Sequence, residues 1–221
     1  MICDLHRRHF ILTASGSALA GLYGTTAMAQ KAAPARPQVI LVLGDSLSAE
    51  YGLARGTGWV ALLEKRLAQE KIAATVVNAS VSGETTSGGR SRLAALLAQH
   101  QPSQVVIELG GNDALRGLPL KNTEENLSWM VQTALKSGAK VLLVGMQVPP
   151  HYGTDYANRF AATFTAVAKT HKVGLVPSFL KGVADGADPT RLFQPDRIHP
   201  RAEAHPQMLA NVWPELQKLL R

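Results

Sequence analysis

The stretch "VILVLGDSLSAEYGL", residues 39–53, joins an apolar run directly to Gly44, Asp45 and Ser46. Because the run is apolar at every position instead of alternating, it predicts a strand that is buried on both faces of a sheet. A turn and a helix cap would account for the serine. The alternative is a nucleophile at the rim of the sheet, and the rest of the sequence has to decide between the two.

Apolar, β-branched runs and segments of helical periodicity alternate along the rest of the chain. The strand-like runs are residues 39–43, 75–78, 105–109, 141–145 and 173–176, and the helical segments are residues 58–71, 91–100, 124–138, 156–171 and 206–220. All these strand-like runs are expected to be buried on both faces. Their alternation with helical segments is typical of right-handed βαβ units. The sequence therefore predicts a three-layer, flavodoxin-like α/β fold, with a five-stranded parallel sheet in the order 2-1-3-4-5 and helices on both faces.

The N-terminal segment "MICDLHRRHFILTASGSALAGLYGTTAMAQ" differs from this pattern. A basic start, an uncharged middle and a small-x-small end predict a signal peptide over residues 1–29, followed by a leader over 30–37 and one domain over 38–221. The pair Arg7-Arg8 is also similar to a twin-arginine export signal. A membrane anchor is the competing interpretation. We expect no stable anchor, because Gly, Ser, Thr and Ala are frequent in the uncharged run, and we therefore expect a periplasmic or secreted protein.

Charge and cysteine content narrow the classes of partner. The 221 residues include 23 Lys and Arg against 16 Asp and Glu, which gives a net charge of +7. This charge can attract anionic substrates or lipid surfaces, but Lys and Arg form no cluster, so nucleic acid is not an expected partner. The single cysteine, Cys3, lies inside the predicted signal peptide, so the domain has no disulfide. We expect a monomer that acts on a small molecule.

Three polar, glycine-containing segments follow the first three predicted strands. They are Gly44-Asp45-Ser46, Ser82-Gly83-Glu84 and the run "GGND" at residues 110–113. In a sheet of order 2-1-3-4-5 the ligand crevice lies beyond the carboxyl ends of strands 1 and 3, where the strand order reverses. The three segments are therefore predicted to meet at one edge of the sheet.

The aperiodic stretch 177–200 supplies a carboxylate and an imidazole, Asp196 and His199. A loop of this length in a compact domain is usually functional. Three positions apart, the two side chains can meet across one turn, where the carboxylate would fix the tautomer of the ring. The histidine could then take the proton from the hydroxyl of Ser46. The backbone N–H groups of Ser46 and Gly83, with the side-chain amide of Asn112, could form an oxyanion hole.

The neighbouring acidic residues have a structural interpretation. Asp45 and Asp113 are expected to bind local backbone groups, and Glu84 is expected to cap the next helix. The nucleophile motif G-x-S-x-G is absent, because position 48 is Ser, so the sequence does not carry an ordinary α/β-hydrolase signature.

Four blocks together resemble the GDSL, or SGNH, hydrolase family. They are "GDSLS" at 44–48, "SVSGETT" at 80–86, "GGND" at 110–113 and "DRIHP" at 196–200. The resemblance implies that Ser46 is the nucleophile, that Gly83 and Asn112 belong to the oxyanion hole, and that Asp196 and His199 are the acid and the base. Within the family the chain is similar to the bacterial periplasmic branch of thioesterases, lysophospholipases and arylesterases.

That branch implies hydrolysis of acyl esters, thioesters or lysophospholipids without a metal or a cofactor. A carbohydrate or peptidoglycan O-acetylesterase with the same machinery is a second possibility. Two further alternatives are a non-catalytic protein that binds an anion at the rim of the sheet and a metal-dependent hydrolase built on Asp45, Asp113 and His199. Arg201 departs from the family pattern, in which a small or amide residue is commoner there.

Overall fold

The computed structural model describes residues 38–148 and 150–221. The predicted signal peptide (1–29) and leader (30–37) lie outside these residues. The described part contains one sheet of five parallel strands, β1 (Gln38–Gly44), β2 (Ala74–Asn78), β3 (Gln104–Glu108), β4 (Lys140–Val144) and β5 (Gly174–Val176). Its strand order is β2-β1-β3-β4-β5, which confirms the predicted topology.

Helices cover both faces of the sheet. They are α1 (Trp59–Gln69), α2 (Thr86–His100), α3 (Gly111–Leu115), α4 (Leu120–Lys136), α5 (Thr154–His171) and α6 (His205–Leu219). Helix α1 packs beside α6 on one face, and α4 packs between α2 and α5 on the other. Within the described ranges, no helix reaches the combination of length and hydropathy needed to cross a membrane.

Burial follows the position of each strand in the sheet. The side chains of β3 are all buried, as are those of β1 from Ile40 onward. The prediction of burial on both faces is wrong for β2, where Thr75 and Asn78 are exposed. This strand is at the edge of the sheet, and the apolar character of its sequence alone does not reveal that it has a neighbour on one side only.

Two helical segments differ from the prediction. Helix α2 begins at Thr86, ahead of the predicted start at 91, because the Thr85 side chain caps it by accepting a hydrogen bond from the N–H of Gly88. The glycines at 88 and 89 have low helix propensity, so the sequence pattern does not predict this first turn. Helix α3 has five residues and is absent from the prediction. It is too short for a periodic pattern, and it carries Asn112.

Candidate active site

Ser46 lies in the turn that follows β1, at the carboxyl end of an interior strand of the sheet. Two hydrogen bonds from the N–H groups of Ser48 and Ala49 to the carbonyl of Asp45 close this turn, at 3.2 and 2.9 Å. The side chain of Asp45 also accepts a bond from the N–H of Leu47 at 3.0 Å, which confirms the expected local backbone contact. Ser46 is only 9% exposed, so its hydroxyl has a fixed position at the rim.

His199 and Asp196 lie beside this hydroxyl. Nε2 of His199 is 2.9 Å from Oγ of Ser46, although the two residues are 153 positions apart in the chain. Nδ1 of the same ring is 2.6 Å from Oδ2 of Asp196. Serine, histidine and aspartate therefore form one continuous hydrogen-bonded line, as the sequence predicts.

The loop before α6 holds the imidazole in place. Phe193 pairs with Pro200 in an isolated antiparallel bridge, and the N–H of Gln194 donates to the carbonyl of His199 at 2.7 Å. The side-chain amide of Gln194 donates to the carbonyl of Tyr51 at 2.9 Å, which joins this loop to the turn after Ser46. The ring of Tyr51 packs against the imidazole with centroids 4.3 Å apart. The histidine is thus fixed from both sides.

Arg201, the departure from the family pattern, has a structural role. Its Nε donates to the carbonyl of Phe193 at 2.6 Å, and its N–H donates to the carbonyl of Leu192 at 2.7 Å. The residue therefore closes the base of the loop that carries Asp196 and His199.

The carboxylate of Asp196 is held in its charged form. Burial pushes its pKa upward, but bonds from the backbone N–H of His199, the His199 ring and the N–H of Ile198 outweigh burial and lower the pKa to about 2. The two N–H groups reach Oδ1 at 3.0 and 2.9 Å, which leaves Oδ2 for the ring. Asp196 can therefore fix the tautomer of His199 at all ordinary pH values.

Two backbone N–H groups in the segments that follow β1 and β2 have no hydrogen-bond acceptor among the described residues. They belong to Ser46 and Gly83. Gly83 has φ +78°, a conformation that favours glycine. Its carbonyl accepts a bond from Nη2 of Arg116 at 2.8 Å, which fixes the orientation of the segment. Free, oriented N–H groups of this kind are what a developing oxyanion requires.

The side-chain amide of Asn112, which follows β3, contacts the segments that follow β1 and β2. Nδ2 of Asn112 donates to Oδ2 of Asp45 and to the carbonyl of Glu84, each at 3.0 Å. The segments that follow β1, β2 and β3 are therefore in direct contact through this amide. All five predicted site residues meet at one edge of the sheet.

The family model described as the GDSL-like Lipase/Acylhydrolase family matches residues 42–206, which span every element of this site. The chain belongs to this family. It is 50% identical to esterase TesA of Pseudomonas aeruginosa over 202 residues, covering 91% of this chain and 98% of the relative. It is 40% identical to thioesterase 1/protease 1/lysophospholipase L1 of Escherichia coli over 186 residues, covering 84% and 86%.

Solved structures agree with this assignment. The psychrotrophic esterase EstA from Pseudoalteromonas sp., in a structure inhibited by monoethylphosphonate, has a TM-score of 0.77 and 38% identity, with 83% of this chain and 98% of that chain covered. The chain is accordingly a carboxylic-ester hydrolase of the GDSL family.

Two of the acidic residues in this GDSL hydrolase differ from expectation. Asp113 does not bind local backbone: its Oδ2 accepts a bond from the N–H of Thr86 at 2.8 Å, 27 positions away, and so anchors the start of α2. Glu84 does not cap α2, a role taken by Thr85. Instead it forms an ion pair with Nη2 of Arg92 at 2.7 Å, because the capping position is one residue further along the chain.

Sequence reasoning missed a buried polar cluster behind the nucleophile. Glu108, the last residue of β3, is fully buried, and its Oε2 accepts a bond from Oγ of Ser48 at 2.6 Å. The indole N–H of Trp59 donates to the same Oγ at 3.0 Å. The available signal was a single glutamate at the end of an otherwise apolar strand, "VVIEL". Such a residue is rarely buried without a polar partner.

The acidic residues of the site do not form a ligand set. In residues 38–148 and 150–221, no three His, Cys, Asp or Glu side chains are grouped as a metal ion would require. Asp45 and Asp113, two members of the metal-dependent alternative, are engaged with Leu47, Asn112 and Thr86 as described above.

Proposed function

We propose that this protein is an exported serine esterase that cleaves acyl esters and thioesters through an acyl-enzyme, with Ser46, His199 and Asp196 as its catalytic triad. The observation that carries the proposal is the line of hydrogen bonds from Oγ of Ser46 to Nε2 of His199 and from Nδ1 to Asp196, at 2.9 and 2.6 Å. A serine hydroxyl is a weak nucleophile until a positioned base removes its proton. This geometry supplies such a base.

The first half of the reaction forms the acyl-enzyme. His199 takes the proton from Ser46 while Oγ attacks the acyl carbon, and the electron pair of the carbonyl moves to its oxygen. The N–H groups of Ser46 and Gly83 and the amide of Asn112 stabilise that oxyanion. When the carbonyl re-forms, the alcohol or thiol leaves with the proton from His199.

The second half repeats these steps with water. His199 takes a proton from a water molecule, whose oxygen attacks the acyl carbon, and the resulting oxyanion occupies the same donors. The proton then returns to Oγ of Ser46, and the carboxylic acid is released. Asp196 stays ionised throughout, because its role is to orient and stabilise the imidazolium.

An apolar rim supports acyl chains as the recognised part of the substrate. We define this apolar rim as the side chains of Tyr51, Val81, Leu115 and Ile198, which are 44–50% exposed. Each lies within a few positions of a site residue along the chain, and the ring of Tyr51 contacts His199. Exposed apolar side chains around a site mark a surface for an apolar ligand. The names of the relatives, esterase and thioesterase/lysophospholipase, agree with such a substrate.

The first test is Ser46→Ala. We expect it to abolish hydrolysis of p-nitrophenyl butyrate and labelling by a fluorophosphonate, with an unchanged melting temperature. Ser87→Ala, at an exposed serine of α2, is the matched control and should label like the wild type. Full labelling of Ser46→Ala would refute the triad, and so would full activity.

A carbohydrate or peptidoglycan O-acetylesterase is the second candidate, since it would use the same machinery. The apolar rim argues against it, because an acetyl group is too small to cover this surface. We expect the octanoyl ester of p-nitrophenol to have a higher kcat/KM than the acetyl ester. The reverse order would favour the acetylesterase. A protein that only binds anions at this edge of the sheet would not react with the fluorophosphonate at all.

We also propose export to the periplasm or the medium and action as a monomer without nucleic acid or a stable membrane anchor. The support is the sequence of residues 1–29 and the absence of Lys and Arg clusters. Expression of the full chain in a bacterium, followed by fractionation and N-terminal sequencing, tests the export. A mature start at position 30 is expected. Gel filtration of the mature chain tests the monomer.

A further inference from the structure

The amide of Asn112 is bound on both of its hydrogens. One hydrogen goes to Oδ2 of Asp45 and the other to the carbonyl oxygen of Glu84, at 3.0 Å each. Both partners are pure acceptors when Asp45 is ionised. The NH₂ end of the amide, and not its oxygen, therefore has to face them.

The orientation of this amide decides whether it stabilises or opposes the reaction. The two ends of an asparagine side chain have nearly the same shape but opposite polarity. An amide turned by 180° would present an oxygen to the developing oxyanion. The Glu84 carbonyl is a single neutral acceptor, whereas the carboxylate of Asp45 makes a stronger, charge-assisted bond.

We propose that Asp45 is a positioning residue, whose carboxylate holds the amide of Asn112 with its N–H groups toward the site of oxyanion formation. The inference rests on the proposed function, in which Asn112 is an oxyanion donor. Among the described residues the side chain of Asp45 makes no hydrogen bond to Ser46 or His199, so the contact through which it would position the site is the one with Asn112. Because the two hydrogens already serve two acceptors, the oxyanion has to share one of them, and we infer that it shares the hydrogen bound to the neutral Glu84 carbonyl while Asp45 keeps the other.

Asp45 and Glu108 form a buried acidic pair. Burial and the charge of Asp45 raise the pKa of Glu108 well above its usual range, against the bonds from Ser48 and the N–H of Asp45, which favours the neutral form of Glu108. Burial raises the pKa of Asp45 itself to about 6, opposed by the Leu47 N–H, by His199 and by the Asn112 amide. The charge of Asp113 also raises the pKa of Asp45.

This arrangement has a direct consequence for the acid limb of the reaction. Below about pH 6 Asp45 takes up a proton, and a protonated carboxyl accepts less strongly from Asn112. The wild type should therefore show an ionisation near pH 6 on the acid limb of kcat/KM, and a variant without the Asp45 carboxylate should lack it.

A double-mutant cycle tests the inference. The four proteins are the wild type, Asp45→Asn, Asn112→Ala and the double variant, assayed with a soluble p-nitrophenyl ester. Loss of one oxyanion donor typically costs about 100- to 1,000-fold in kcat. We expect such a loss for Asn112→Ala and at least about a tenfold loss for Asp45→Asn, with KM changed less than about threefold in both.

The decisive comparison is the double variant. If Asp45 acts through Asn112, the double variant is no more than about threefold slower than Asn112→Ala, because the partner is already gone. Losses that multiply would overturn the inference, as would full activity of Asn112→Ala or an unchanged acid limb in Asp45→Asn. Ser46→Ala separates the proposals: if it is inactive while the losses multiply, only the positioning role fails.

A second variant keeps the test decisive if Asp45→Asn does not fold. Asp45→Ser retains a short oxygen that can accept from the N–H of Leu47, as Oδ1 does at 3.0 Å, but it cannot reach Asn112. It should show the same loss of kcat and the same lack of additivity with Asn112→Ala. A purely structural role in the turn would leave Asp45→Ser as active as the wild type.

Discussion

At the scale of the residue, the two oxygens of Asp196 have separate partners. Oδ1 accepts bonds from the N–H groups of Ile198 and His199, and Oδ2 accepts the bond from the imidazole. Arg197, which lies between Asp196 and Ile198 in the chain, has φ +58°, which a non-glycine residue rarely adopts. The tight turn that brings Asp196 under His199 therefore depends on the side chain of Asp196 as well as on the backbone.

The first prediction at this scale concerns Asp196→Asn. The amide keeps the shape but can present a donor to Nδ1, which would favour the tautomer that cannot accept the proton of Ser46. In a serine protease this exchange costs about 10⁴-fold in kcat. We expect a loss of at least about 100-fold here, since Asp196 is more exposed than a fully buried triad acid.

Steady-state kinetics at pH 7 and pH 9, with circular dichroism as the control for folding, provide the measurement. The loss is expected to persist at pH 9, because the ratio of the two neutral tautomers of the ring does not depend on pH. A variant with wild-type kcat at pH 7 would show that Asp196 is dispensable.

At the scale of the element, α2 packs closely against the segment that follows β3 and against α4. Gly89 is buried, and a Cβ built at this position would lie 2.3 Å from Cδ1 of Leu109 and 3.3 Å from Sδ of Met130. The Asp113 bond to Thr86 fixes the start of the same helix. The close approach therefore links the position of α2 to that of the segment carrying Asn112.

The prediction for this element is that Gly89→Ala destabilises the protein. Overpacking of a core costs about 1–3 kcal/mol, which exceeds the gain of about 1 kcal/mol from replacing glycine in a helix. We expect a net loss in the free energy of unfolding of up to about 2 kcal/mol, measured by urea denaturation. Ser87→Ala, on the exposed side of the same helix, is the control and should be neutral or slightly stabilising. Equal stability of the two variants would contradict the close packing.

At the scale of the whole molecule, Glu108 connects the sheet to the active-site turn and to α1. Its Oε2 accepts bonds from Ser48 and from the N–H of Asp45, and Ser48 in turn accepts from Trp59. Its Oε1 is buried with no hydrogen-bond partner among the described residues. A neutral carboxyl is far less costly in this position than a charged one.

The pH dependence of stability follows from the raised pKa of Glu108. The folded state binds this proton more tightly than the unfolded state, whose carboxyl has its ordinary pKa of 4.5. The contribution of Glu108 to the free energy of unfolding is therefore complete below about pH 4.5. It is lost as the pH rises toward the pKa of Glu108 in the folded state, by at most about 1.4 kcal/mol per pH unit.

Glu108→Gln should remove this loss of stability at higher pH. The amide oxygen can accept the bonds from Ser48 and Asp45, and the variant carries no proton to lose. We expect its melting temperature, relative to the wild type, to be higher at pH 8 than at pH 5. Glu124→Gln, at an exposed glutamate of α4, is the matched control and should show no such trend. A constant difference for Glu108→Gln across this range would show that Glu108 is ionised in the folded protein.

The sequence by itself determined the strand order and predicted which polar residues meet at one edge of the sheet. Apolar runs that alternate with helical segments leave one favourable parallel arrangement, and the polar residues follow the strands that this arrangement makes adjacent. Ser46, Gly83, Asn112, Asp196 and His199 could be named before any coordinates, because each sits in a short motif whose residue types suit one chemical role.

Only the tertiary structure decided which groups those residues bind. The contact of Asp45 with Asn112, the anchor from Asp113 to Thr86 and the buried Glu108 cluster join residues that are 27 to 67 positions apart. Local sequence carries no record of such pairs, because a carboxylate in a turn has the same propensities whether its partner is the next backbone N–H or a distant side chain. Their energies depend on burial and on distance, and both arise when the sheet and its helices pack together.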